Sequence, residues 1–84
     1  MHELERARTE YAESLKGLEV PPNPAPYLRY IEGVLQTFGE ETDELVTYDS
    51  FIEDMVRQGL DERYADYAWV TLKKRPYQIL VRWL

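Results

Sequence analysis

Four prolines in six residues, Pro21-Pro22-Asn23-Pro24-Ala25-Pro26, restrict this chain more than any other feature. Proline fixes φ and lacks an N–H, so the stretch is extended, stiff and unable to carry a helix through it. It reads as a spacer over 21–26 that parts a short N-terminal segment from everything that follows. Pro21 and Pro24 have the spacing of a PxxP ligand. The nearest base, Arg29, lies inside the next predicted helix and is poorly placed to orient such a ligand.

Ahead of the spacer, Leu4, Ala7, Tyr11, Leu15 and Leu18 recur at three- and four-residue steps and predict a helix over 3–16. The stripe is narrow, and Gly17 is a plausible stop. Such a helix suits a groove, a second helix or its own domain. Behind the spacer, Asn23 is a candidate N-cap for a helix over 25–37 whose apolar face is Tyr27, Leu28, Ile31, Val34, Leu35 and Phe38, with Gly39 ending it. Residues 40–49 are acidic and ambiguous, and Leu45-Val46-Thr47-Tyr48 fits a short strand or a helix start. Ser50-Phe51-Ile52-Glu53 matches a capping box, with Phe51, Ile52, Met55 and Val56 as the buried face and a Schellman ending at Gly59-Leu60. Asp61 caps a helix over 62–74, with Tyr64, Ala65, Ala68, Trp69 and Leu72 turned inward. Its acids lie at the start and Lys73, Lys74 and Arg75 at the end, as the helix dipole favours. Residues 77–84 fit a helix or a strand. The expected fold is all-α, a small bundle of four to five short helices with a helical core over 25–84. The alternative keeps a C-terminal β-hairpin over about 69–83, in which Val70-Thr71-Leu72 would pair with the final segment.

With 84 residues the chain makes a single domain, 1–84, and buries only roughly 60–65% of its unfolded surface, so a partner or second copy is a natural source of further burial. The absence of cysteine excludes disulfides, thiolate metal sites and cysteine nucleophiles. The longest apolar run, Tyr67-Ala68-Trp69-Val70, falls far short of the ~20 residues of a membrane span. No signal-peptide profile is present, so the expectation is a cytoplasmic protein with no membrane partner.

No catalytic or cofactor-binding constellation stands out. His2 is the lone histidine and sits on the terminus. Asp49 and Glu53 stand one helical turn apart with Asp54 following, but no nucleophile accompanies them. Residues 43–54 miss the calcium-loop pattern, having Tyr48 where glycine makes the turn and Asp54 where a bidentate glutamate belongs. The four glycines stand too far apart for a phosphate loop. The chain therefore reads as a non-enzyme without metal or cofactor.

Charge points to binding. The net charge of −6 divides into −10 over residues 1–62 and +4 over 63–84. A basic C-terminal part that folds back on the acidic body and one that stays apart from it are both consistent with this division. Glu40, Glu41, Asp43, Glu44, Asp49, Glu53 and Asp54 make an acidic face without an intervening base, suited to a basic protein partner of unknown identity. Leu4, Tyr11, Leu15 and Leu18 offer a second contact stripe for a partner or a homodimer, with Tyr11, Tyr27 and Tyr30 as rim aromatics. On this reading, deletion of residues 1–20 removes association and leaves 25–84 folded. Alternatives are an acidic mimic of nucleic acid that inhibits a DNA- or RNA-handling protein, and a helix-turn-helix binder using Lys73, Lys74 and Arg75 beside Trp69, Tyr77 and Trp83. Asp61 and Glu62 at the leading end of the reading helix weigh against nucleic acid.

Overall fold

The computed structural model describes the backbone of residues 2–74, and the side chains of these except residues 2–4 and 7. Leu4 as part of the contact stripe, Arg75 and the helix-or-strand choice over 77–84 lie outside the described residues.

Among the described residues five α-helices follow one another: α1 (His2–Ser14), α2 (Ala25–Phe38), α3 (Thr42–Leu45), α4 (Tyr48–Arg57) and α5 (Ala65–Lys74), with 3-10 turns at Gly39–Glu41 and Glu62–Tyr64. The fold is a small all-α bundle, and there is no strand among the described residues. Val70, Thr71 and Leu72 lie within α5, which removes the first arm of the alternative hairpin.

The ends of the helices follow local chemistry. After α1 the chain turns through Gly17, at φ +83°, a conformation that side chains with a Cβ rarely adopt. The N-cap of α2 is Pro24 rather than Asn23, whose Oδ1 instead accepts the Ala25 N–H at 3.3 Å. The largest shift from expectation is at α4. Thr47, in extended backbone, is the N-cap, and its side chain accepts the Ser50 N–H at 3.2 Å while Ser50 Oγ accepts the Thr47 N–H at 3.2 Å. Ser50 therefore occupies the third position of the helix and is the lower half of a capping box, not its start. At the other end of α4 the Leu60 N–H reaches the Met55 carbonyl (3.2 Å) and the Gly59 N–H reaches that of Val56 (2.9 Å). This is the expected Schellman ending. Asp61 then caps the following turn, its Oδ1 accepting the Arg63 N–H at 2.8 Å.

Helix α5 is the hub and packs against α1, α2 and α4. Met55 and Ala68 are fully buried, with Ile31, Phe51 and Leu72 at 2% exposure or less. Each large apolar side chain buried in this way contributes about 1.5–3 kcal/mol. Tyr67 and Thr71, absent from the expected inward face, are buried as well, whereas Phe38 and Val56, expected inside, are exposed.

Tyrosine hydroxyls stitch the bundle together. Thr71 donates to the Tyr67 carbonyl (2.8 Å), so Tyr11 spends its single proton on Thr71 Oγ1 at 2.7 Å and ties α1 to α5. Tyr27 accepts the Asp61 N–H at 3.0 Å, pinning the turn before α5 to α2. Tyr30 donates towards the Phe51 carbonyl (3.1 Å) and Asp54 (2.8 Å), joining α2 to α4. Tyr27 is thus a buried internal tie, while Tyr11 and Tyr30 make internal bonds and stay half-exposed. Helix α1 is not held apart by the prolines, because Tyr11 and Leu15 pack on the core.

Candidate interaction surface

Seven acids that adjoin in sequence are dealt to different places by the changes of direction at Gly39 and at Val46-Thr47. Glu40 and Glu41 lie on the 3-10 turn, Asp43 and Glu44 on α3, and Asp49, Glu53 and Asp54 on α4. Asp43 meets Lys73 of α5 at 3.5 Å. Asp54 turns towards α2, where it accepts the Tyr30 hydroxyl, and also lies 3.5 Å from Arg57. Glu53 pairs with Arg57 at 3.2 Å. These ion pairs are solvent-exposed, and each is worth at most about 1 kcal/mol.

Asp49 and Glu53 form one wall of an open cleft on the outer side of the α4–α5 contact. Glu62 and Asp66 form the opposite wall, and Ile52, Val56 and Ala65 line it between them, with a volume of about 500 Å³. Every charged side chain lining this cleft is acidic. Arg63, next to Glu62 in sequence, lies 3.6 Å from Glu19, which precedes the proline spacer. Tyr48 stands at the cleft and donates its hydroxyl to Asp66 Oδ1 at 2.7 Å, with its ring edge-on to Trp69 at 5.5 Å. Its phenol is held above the usual tyrosine range, first by the hydrogen bond to Asp66, then by burial, then by the negative charges of Asp66, Asp49 and Glu62. Three carboxylates, from α4, the 3-10 turn and α5, therefore act on one phenol.

A second groove, of about 580 Å³, lies between α2 and the α3–α4 corner. It is more apolar: Phe38, Leu45, Val34 and Phe51 line it, and its charged members are one base, Arg29, and one acid, Asp54.

The remaining expected site residues lie elsewhere. Tyr11 bonds to Thr71 of α5, Leu15 packs against the core, and Leu18 is half-buried in the turn after α1. Lys73 sits 5.0 Å from the centre of the Trp69 ring as well as beside Asp43, and Lys74 is exposed. The leading end of the supposed reading helix is tied to α2 by the Asp61–Tyr27 bond and by Tyr64 edge-on to Tyr27 at 5.7 Å. Sequence reasoning missed Glu62, Asp66 and Tyr48. The signal was present as two carboxylate pairs at i and i+4, Asp49/Glu53 on α4 and Glu62/Asp66 running from the 3-10 turn into α5.

The cleft offers negative charge and hydrogen-bond acceptors around an apolar strip. It can receive ammonium or guanidinium groups carried on an apolar body. Among the described residues no cluster of histidine, aspartate and glutamate is arranged to hold a metal ion, and no helix is long and apolar enough to cross a membrane. No family model, curated protein or solved structure matches the chain.

Proposed function

We propose that this domain is a non-catalytic protein-interaction module that regulates or recruits a partner through the surfaces flanking α4. One observation carries the reading. Of the five exposed large apolar side chains among the described residues, four line the two grooves: Phe38 and Leu45 in one, Tyr48 and Val56 in the other. Exposed apolar side chains scattered singly are ordinary on a folded protein, whereas their collection in concave, polar-rimmed surfaces is the pattern of contact sites. The domain is small, so further burial against a partner is also favourable. A cytoplasmic place of action goes with this reading.

The test is affinity capture from native extract with the tagged full chain and with the variants Leu45→Lys and Val56→Lys. Both side chains are exposed, so both variants should keep the wild-type circular dichroism. The expected result is a specific partner captured by the wild type and lost with one of them. Equal capture by all three chains, or none by the wild type, would overturn the reading.

A further inference from the structure

The α4–α5 cleft is the surface whose chemistry specifies its occupant. It presents carboxylates on both walls and aliphatic carbons between them. Asp49 and Glu53 stand four residues apart on α4, about 6 Å along its axis, and Glu62 and Asp66 stand four residues apart from the 3-10 turn into the start of α5. The matching occupant carries cations at the same interval on either side of an apolar ridge, which is how an amphipathic helix spaces residues i and i+4. Nucleic acid has the wrong sign for this cleft, since its phosphates would meet Asp49, Glu53, Glu62 and Asp66. The α2-side groove lacks such a preference, because Arg29 and Asp54 give it both signs.

We infer that the cleft between α4 and α5 docks a basic amphipathic helix of a protein partner, with its aliphatic ridge on the exposed Val56, above the buried Ile52 and Ala65, and its lysines or arginines against Asp49, Glu53, Glu62 and Asp66. This rests on the reading of the domain as an interaction module and names the partner's chemistry at one of its two grooves. Tyr48 lies within the same contact. Its hydrogen bond to Asp66 holds that carboxylate in place, and its ring extends the apolar strip.

The probe is an alanine-based helical peptide with two leucines one turn apart, flanked on both sides by lysines. Binding to the full-length chain is followed by titration calorimetry at about 50 mM salt, where surface charges are only partly screened. The paired substitution Asp49→Asn with Glu62→Gln should weaken binding about fivefold, as loss of two exposed ion pairs implies. The pair Glu40→Gln with Glu44→Gln removes the same charge away from the cleft and should change affinity less than about twofold. A peptide with serine for leucine should bind about tenfold more weakly, because the aliphatic contact is gone.

Equal losses from the two paired variants, or indifference to serine, would reduce the effect to general attraction and overturn the inference. So would concentration-dependent self-association abolished by the Asp49/Glu62 pair, which would make a second copy the occupant. If the peptide fails while extract capture by the wild type persists and is lost with Leu45→Lys, the interaction module stands and this assignment of its partner falls.

Discussion

Helix α5 has two flanks, and the molecule treats them oppositely. Against α1 the seam is closed: Thr71 is 1% exposed, Tyr67 is buried, and Tyr11 seals the edge by donating to Thr71. Against α4 the inner edge closes on Met55 and Ala68, but the outer edge is open, with Val56 at 43% exposure. Each flank has a tyrosine reaching across. Tyr11 finds a neutral hydroxyl that can be buried at little cost, while Tyr48 finds Asp66, whose charge resists leaving water. Like charges on both walls add to the separation. What distinguishes the flanks is less their apolar content than whether the edge can be sealed without desolvating a carboxylate.

The comparison can be broken most severely at the core shared by both flanks. Met55→Ala removes a side chain with no exposure and should cost about 2–5 kcal/mol in urea unfolding, with Schellman and capping contacts unable to compensate. A loss under about 1 kcal/mol would mean that α4 is not anchored there.

Alkaline titration sharpens it next. Burial first, then the Tyr11 hydroxyl, push the Tyr67 phenol far above its ordinary value of 10.0, and burial followed by Asp54 does the same for Tyr30. For a group whose folded pKa is raised, the contribution is complete below the unfolded pKa and lost as pH climbs beyond it. Stability should therefore be flat below about pH 9 and then fall by about 1.4 kcal/mol per pH unit for each such phenol above about pH 10. Urea midpoints across pH 8–11 (roughly the window set by the tyrosine pKa) check this, and Tyr67→Phe should flatten part of the slope.

Removing single hydroxyls separates the two flanks directly. Tyr11→Phe breaks a half-buried hydrogen bond and leaves Thr71 with one partner fewer, for a loss of about 1 kcal/mol. Tyr48→Phe removes an exposed bond and should cost less than about 0.5 kcal/mol. Equal losses would erase the distinction between sealed and open edges. The smallest effect belongs to Val56→Lys, which should leave thermal stability within about 0.5 kcal/mol of the wild type, whereas Leu15→Lys on the sealed flank should not.

The helical fold was legible because its apolar stripes are real: Tyr27, Ile31 and Val34, then Phe51, Ile52 and Met55, then Ala65, Ala68 and Leu72 are the buried faces. The start of α4 was misplaced because Ser50-x-x-Glu53 and Thr47-x-x-Ser50 both offer capping partners. Only the extended backbone at Thr47 decides between them. The internal bonds of the tyrosines were hidden for a different reason. A phenol is equally suited to a wet rim and to an internal bond, and its choice depends on a partner distant in sequence, such as Thr71 for Tyr11 or Asp61 for Tyr27. Deletion of residues 1–20 would remove the Tyr11 bond to Thr71, which sets a stability cost on the expectation that residues 25–84 fold alone. The acidic face was visible as composition but not as geometry. Its sequence neighbours part at Val46-Thr47, and Asp49 and Glu53 gain their true neighbours, Glu62 and Asp66, only when α4 and α5 pack.

The most direct test of a docking cleft is a map of backbone amide shifts, recorded on the isotope-labelled full-length chain as the lysine-flanked leucine peptide is added. Docking between α4 and α5 predicts saturable shifts concentrated at Tyr48–Val56 and Glu62–Asp66, with Glu40–Glu44 and α1 little changed. Shifts spread evenly over the acidic residues, or centred on Phe38 and Leu45, would contradict it.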